Sequence, residues 1–340
     1  MAHETPEDRP SGMRAGATAP AKCILLGEHA VVYGMPCLSV ALDMRTAVAA
    51  ERSTSATTVN GHPLESRYHS YLMQVLDRVW KDPSALRLTT RSGIPSSSGM
   101  GSSAALSVAA AATLYDLQAG ASDAEVAQAA FESERATQGG GSPNDTSVAT
   151  AGGAILLAPE RRTDAGLEHL WSVTLDDRAW EVHRARLPKL ALVIGVTGVR
   201  SDTGEQVAKV RRFVERSRFG EETMEAVGTL VWEGLDALRT EDLATFGNIM
   251  GRCQTALHTM GVNHPSLQRL IDAAHTVPGT YGAKLTGAGG GGSVVVLTLD
   301  PEGVAEAIGR AGGIPYVLEP STEGVRHTAG EEATEAEVQR

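Results

Sequence analysis

The run IPSSSGMGSSAALSVAAAA, from Ile94 to Ala112, constrains this chain more than any other stretch. Its first part is built from Pro, Ser and Gly, which resist regular structure, and its second part is Ala- and Leu-rich, a strong helix signal. A loop therefore runs straight into a helix N-terminus. Gly99 and Gly101 let the backbone approach a ligand closely, and Ser102 and Ser103 add hydroxyls. The first turn of the helix leaves N–H groups unpaired at its positive dipole end. That combination suits a bound anion, phosphate above all, although a Ser-capped turn before an ordinary core helix has the same local composition.

At 340 residues the chain exceeds the usual single-domain size, so two domains are expected. Aromatic residues make up only 4% and there are 37 glycines, so the cores must rest on Ala, Val, Leu and Ile. A formal charge of -11 argues against a nucleic-acid or anionic membrane surface, and an anionic substrate would need locally placed cations. Cys23, Cys37 and Cys253 are widely spaced and read as buried thiols of a reducing cytoplasm. The polar N-terminal run lacks the apolar core of a signal peptide, and no apolar stretch reaches the ~20 residues that span a bilayer. A cytoplasmic protein is expected.

Residues 21–51 read as extended structure interrupted at Gly27-Glu28-His29 and Gly34-Met35-Pro36. Lys22 and Glu28-His29 flank the apolar CILLG, where polar groups are expensive to bury without partners. Helical spacing predicts a helix over 68–80, a short strand follows over 85–90, and the glycine-serine loop leads into a helix over 102–117. Ser122 and Glu125 form a capping box that opens a helix to about residue 137, with Glu134 near its end. A carboxylate there faces either water or a cation. GGGSPND over 139–145 reads as a loop, with Asp145 at its end, and 152–158 as a strand.

From about 187 the pattern changes. Strands are expected over 190–196, 283–286, 294–299 and 315–318, with helices over 205–217, 221–238, 243–259, 265–274 and 303–310. That order suggests helices on one face of a small antiparallel sheet. Residues 287–292 contain GxGxxG, but Ser293 to Leu297 then reads as a strand, whereas a dinucleotide fingerprint needs a helix there. No Gly-Lys-Ser/Thr run occurs, so a Walker A loop is excluded.

Three motifs thus stand in order: APAKCILLGEHAVVYG from Ala19, PSSSGMGSSAA from Pro95 and KLTGAGGGGS from Lys284. This triplet resembles the GHMP kinase superfamily. GEHAVVYG is the form typical of its mevalonate kinases, and GGGSPNDTSVATAGG is similar to the catalytic segment of archaeal-type members. Met100 stands where Leu is usual, and Pro143-Asn144 departs from the Pro-Ser-Gly arrangement of animal-type members. The resemblance implies a two-domain α+β GHMP kinase fold, with a mixed α/β nucleotide-binding domain and a C-terminal α+β sandwich. The expected division is a tail over 1–18, domains over 19–186 and 187–325, and an acidic tail over 326–340.

It further implies phosphorylation of (R)-mevalonate at its 5-hydroxyl by ATP with Mg²⁺; a sister small-molecule kinase or a non-catalytic ATP-binding regulator are the alternatives. Asp145 resembles the catalytic Asp, which either accepts the substrate hydroxyl proton or orients that hydroxyl electrostatically, and Lys22 resembles its partner, holding it ionised and polarising the hydroxyl. Pro95, Ser98, Gly99, Met100, Gly101, Ser102, Ser103 and Ala104 would line the phosphates, and Ser103 and Glu134 would hold the magnesium. Glu28, His29, Thr197, Gly289 and Gly290, with Lys22 and Asp145, would face the substrate. A small-molecule substrate is the expected partner, with a homodimer open and neither nucleic acid nor membrane involved. The adenine pocket is expected from the poorly patterned region 54–70.

Overall fold

The computed structural model describes residues 14–96, 98–176 and 178–330. Its spine is an antiparallel pair, β1 (Arg14–Leu26) and β2 (Cys37–Ser53), joined through a 3-10 turn at Ala30–Tyr33. Every residue of β1 after Arg14 is buried, as befits an Ala-rich strand covered on both faces. β2 divides its second edge: Cys37–Val40 pair with β6 (Ala154–Ala158), and Thr46–Ser53 with β5 (Ala85–Ser92). Beyond β5 lie β3 (Thr58–Val59) and β4 (His62–Pro63), and beyond β6 lie β8 (Arg178–Ala185) and β7 (Leu167–Leu175).

Four helices cover this sheet: α1 (Ser66–Val79), α2 (Ser102–Asp116), α3 (Asp123–Gln138) and α4 (Asn144–Ala151). α2 packs against β1, β2, α1, α3 and α4 together, so it is buried nearly all round. This is why it is so rich in alanine: larger side chains would hold the surrounding elements apart. Ser122 and Glu125 make the expected capping box at the start of α3.

The second unit has an antiparallel sheet ordered β10 (Thr280–Thr286), β11 (Ser293–Thr298), β9 (Leu192–Val196), β12 (Ile314–Leu318). Around it stand α5 (Thr203–Glu215), α6 (Arg218–Arg239), α7 (Leu243–Thr259), α8 (Pro265–His275) and α9 (Pro301–Arg310). The fold is the expected two-part α+β architecture. Residues 287–292 lie between β10 and β11, a strand on each side, so the dinucleotide reading fails in the structure for the reason seen in the sequence.

Three expectations are corrected and two hairpins are added. Asp145 does not end a loop; it lies in the first turn of α4, where Pro143, with φ near -75°, sets the chain for a helix beginning at Asn144. The hairpin β7–β8 was not anticipated, nor was β3–β4, although Asn60-Gly61 at its tip, both with positive φ, is a strong hairpin signal. The tail expected over 1–18 overlaps β1 at residues 14–18. The acidic tail expected from 326 begins with β13 (Arg326–Thr328), which pairs with β1. Residues 1–13 and 331–340 lie outside the described residues. The returning segment is held by the buried Arg45, which donates to Thr18 O, Thr18 Oγ1 and the carbonyls of Glu323 and Gly324.

α7 crosses β10 at van der Waals distance through Gly247 and Gly282. A Cβ on Gly247 would lie 2.2 Å from Tyr281 O, and one on Gly282 2.5 Å from Gly247 O. Gly247→Val is therefore expected to destabilise the protein by about 1–3 kcal/mol through overpacking against backbone that cannot swing aside. Urea unfolding measures this, and an unchanged midpoint would mean that the helix shifts without cost.

Candidate active site

Lys22 sits mid-strand in β1 with its side chain only 3% exposed. Its Nζ donates to Gly99 O at 3.0 Å and lies 3.0 Å from Asp145 Oδ2. The backbone closes the same contact, since Lys22 N donates to Met100 O at 3.0 Å. Gly101 has φ 73°, and a Cβ there would stand 2.9 Å from Lys22 Cγ, so this position needs glycine both for its conformation and for the lysine stem beside it. The Asp145 side chain is a third exposed, at 33%, and so remains open to a ligand.

Gly101 caps α2 in the left-handed region with no side-chain cap, and the first helical bond is Ala105 N to Gly101 O. The amides of Ser102, Ser103 and Ala104 are left for a ligand, beside the Lys22 ammonium. The expected phosphate residues therefore divide by role. Gly99, Gly101, Ser102 and Ser103 form the open mouth. Ser98 is 2% exposed and spends its hydroxyl on Pro95 O at 2.7 Å, while Met100 and Ala104 put their side chains into the core.

Ser103 lies within hydrogen-bonding reach of the Glu134 carboxylate and the Tyr71 hydroxyl. Gln138 Nε2 donates to Tyr71 OH at 3.2 Å and to Glu134 Oε1 at 3.4 Å. Burial pushes the Glu134 carboxyl up to about 7, the Asp145 charge adds to the rise, and Ser103 and Lys22 oppose it. A carboxylate so placed is stabilised by a cation. Among the described residues no three His, Cys, Asp or Glu side chains group as a metal site, which leaves one carboxylate and one hydroxyl. That donor set fits Mg²⁺, which takes hard oxygens and keeps most of its waters.

The substrate-side candidates are drawn together from both units, but not all have free polar atoms. Glu28, 1% exposed, is ion-paired through Oε1 with Nζ of Lys284, itself fully buried in β10. Thr197 donates its hydroxyl to Gly292 O at 2.8 Å and accepts from Val199 N. His29 holds a positive φ of 62° and its Nε2 donates to Ala288 O at 3.0 Å, which puts the proton on Nε2. Gly289 and Gly290 have φ of 78° and 71°, and a Cβ on them would meet Val262 O at 2.4 Å and the Gln206 side chain at 2.6 Å. The two glycine loops meet where Ser293 Oγ donates to Ser98 O at 2.5 Å.

Three residues of this region escaped the sequence reading. In the sequence Lys284 stands only as the first letter of a motif, Tyr71 as one position of a helix and Ser39 as one position of an apolar strand. Ser39 did carry a signal, as a hydroxyl inside the apolar CLSVAL, where a buried polar group needs a partner.

Residues 68–153 match the model of the GHMP kinases N terminal domain, and 235–316 that of the GHMP kinases C terminal. A mevalonate kinase of Thermococcus onnurineus is 33% identical, the match covering 92% of this chain and 98% of the relative. The structure of an L. major mevalonate kinase in complex with R-mevalonate superposes with a TM-score of 0.72 at 22% identity, over 93% of this chain and 99% of the other. A Streptococcus pneumoniae phosphomevalonate kinase in complex with phosphomevalonate and AMPPNP gives a TM-score of 0.75 at 13% identity, over 90% and 99%. The fold alone thus does not select between these substrates.

Lys284→Met leaves Glu28 buried without its partner and is expected to cost about 3–5 kcal/mol near neutral pH. The loss should shrink in acid as Glu28 takes up a proton, and a penalty independent of pH would show that the ion pair is not its source. Burial drives the His29 imidazole down to about 4, despite its bond to Ala288 O. A folded-state value below the unfolded ~6.5 means that His29 contributes stability above that pH, lost as pH falls through the interval to about 4. His29→Asn should therefore flatten that part of the profile of urea midpoint against pH, by up to about 3 kcal/mol. Parallel profiles for parent and variant would exclude this contribution.

Proposed function

Because the chain belongs to the mevalonate kinase family of the GHMP kinases, we propose that it transfers the γ-phosphoryl group of ATP to the 5-hydroxyl of (R)-mevalonate. The observation that carries this reading is the Lys22–Asp145 pair, at 3.0 Å, placed beside the uncapped N-terminus of α2. Phosphoryl transfer needs little covalent chemistry from a protein; it needs alignment and neutralisation of charge. The amides of Ser102, Ser103 and Ala104 receive the phosphate oxygens, and the Lys22 ammonium faces the same anion. Asp145 accepts the proton of the substrate hydroxyl as its oxygen bonds to phosphorus and ADP leaves. Lys22, shared between Asp145 and Gly99 O, keeps the carboxylate turned toward that hydroxyl.

Ser103 and Glu134 would hold Mg²⁺, which would offset the charge of the phosphates. His29 and the loop of Gly289 and Gly290 bring the second unit to the substrate side through the bond to Ala288 O. Glu28 acts there through Lys284, setting the position of β10 rather than presenting a free carboxylate.

An unphosphorylated acceptor is supported by how the cations on α5 of the second unit are engaged. Lys209 donates to Gly261 O, and Arg211 and Arg212 are exposed on α5. Action in the cytoplasm is supported by three buried, unpaired cysteines. Among the described residues no helix is long and apolar enough to cross a membrane.

The test is ADP release with Mg-ATP against mevalonate, phosphomevalonate, homoserine and galactose, with the product position read by phosphorus NMR. Turnover with mevalonate alone, giving the 5-phosphate, is expected. A 3-phosphate or another acceptor would move the chain to a sister activity. Asp145→Ala should keep the fold and bind ATP within a few-fold of the parent while turnover drops by about 10²- to 10⁴-fold. Turnover close to the parent's would overturn the role given to Asp145.

A further inference from the structure

Asp145 is held on both oxygens. Lys22 Nζ lies 3.0 Å from Oδ2, and Asn144 Nδ2 donates to Oδ1 at 3.0 Å. Asn144 is 1% exposed, and its own Oδ1 lies 2.9 Å from the hydroxyl of Ser39, the third residue of β2, which is 0% exposed. Cys37, two residues earlier on the same face of the strand, has its Sγ 3.6 Å from Ser39 Oγ.

The proton directions along this line follow from donor and acceptor capacity. A carboxylate can only accept, so the amide of Asn144 turns its NH₂ toward Asp145 and its oxygen toward Ser39. Ser39 then has to donate to that oxygen, and its lone pairs are left for the thiol of Cys37. The thiol is protonated, since burial raises it well above its ordinary value. With Asn144 turned the other way, two acceptor oxygens would face each other at 3.0 Å. Ser39 completes the arrangement that the carboxylate sets, its one proton directed at Asn144 Oδ1.

The line is out of place as a device for stability. Val40, Ile155 and Val148 are fully buried nearby on β2, β6 and α4, and an apolar pair would fill such a site without a desolvation penalty. What a hydroxyl and an amide supply, and an apolar pair cannot, is a directional grip on a carboxylate that otherwise rotates about its last bond. With Oδ1 and Oδ2 both held, the remaining lone pairs of the partly exposed Asp145 point to one place.

We propose that Ser39 and Asn144 are positioning residues for the phosphoryl transfer, a hydroxyl–amide line that fixes the rotation of the Asp145 carboxylate and acts on the reaction only through it. This rests on Asp145 being the group that takes the substrate proton. Ser39 works through Asn144, and Asn144 through Asp145, so their effects are nested rather than additive.

The experiment is a double-mutant cycle on the full chain with Ser39→Ala, Asn144→Leu and the pair together, reading kcat, both KM values and thermal midpoint with Mg-ATP and mevalonate. Ser39→Ala should lower kcat about 5- to 10-fold and Asn144→Leu about 10- to 100-fold, with each KM within about two-fold of the parent. The pair should be no slower than Asn144→Leu alone. If Ser39→Ala lowers kcat by the same factor with or without Asn144, or if the losses appear in KM with kcat intact, the positioning role is wrong. Unchanged kcat in all three would also overturn it. Should Asn144→Leu melt below the assay temperature, Asn144→Ala takes its place in the cycle. Asp145→Ala run alongside separates the two readings. An inactive Asp145→Ala with an additive cycle removes only the line, whereas an active Asp145→Ala removes the role of Asp145 on which the line depends.

Discussion

A lysine ammonium 3% exposed in the middle of a central strand is the constraint around which the site is arranged. Desolvating that charge is costly unless it is met by acceptors at contact distance, and Lys22 has two, Gly99 O and Asp145. Each acceptor fixes a separate piece of chain. The first pins the loop before α2, so that the helix presents its bare N-terminus. The second pins the first turn of α4, so that Asp145 faces the same space. Gly101 has to be a glycine because the lysine stem occupies the volume that its side chain would take. Loop, helix terminus and carboxylate are thus consequences of one buried cation.

The second unit is joined to this arrangement by an apolar core that runs through both units and by polar contacts that are themselves buried, which hold its register. Glu28 with Lys284, Ser293 with Ser98 O, and Thr286 with Ile24 cross from the small sheet to β1 and its flanking loops. A hydrophobic junction alone would tolerate sliding. Hydrogen bonds and an ion pair without access to water do not, because any shift leaves a donor or an acceptor unmet. His29 in its positive-φ conformation extends the same logic to the glycine loop through Ala288.

How much of this was legible in the sequence depended on whether the signal was local. The Ala-rich α2, the capping box of α3 and the alternation of helix and strand after 187 are properties of short windows, and they were read close to their true bounds. Lys22 and Ser103 stand out in the ordered motifs, Asp145 in the GGGSPNDTSVATAGG segment and Glu134 near a helix C-terminus, and the fold brings Lys22 to 3.0 Å from Asp145. The misses have two kinds. Asn60-Gly61 and the alternation in β7 and β8 are local signals that were passed over. Lys284 opposite Glu28, 256 residues away, and Asn144 below Ser39, 105 residues away, are pairings across the fold. No window contains both partners, and each residue alone reads as a strand lysine or a turn asparagine.

The charge of the chain explains why the site takes the form it does. At -11 the protein repels the anions it is built to hold, and side-chain cations spread over the surface would be screened within about 10 Å and answered by neighbouring carboxylates. Backbone amides at a helix terminus are not titratable, are not screened when buried, and need no compensating anion. One lysine, desolvated and paired with Asp145, then adds a positive charge at short range. An acidic surface and a mouth that attracts anions coexist because the attraction is carried by fixed dipoles and a single enclosed cation.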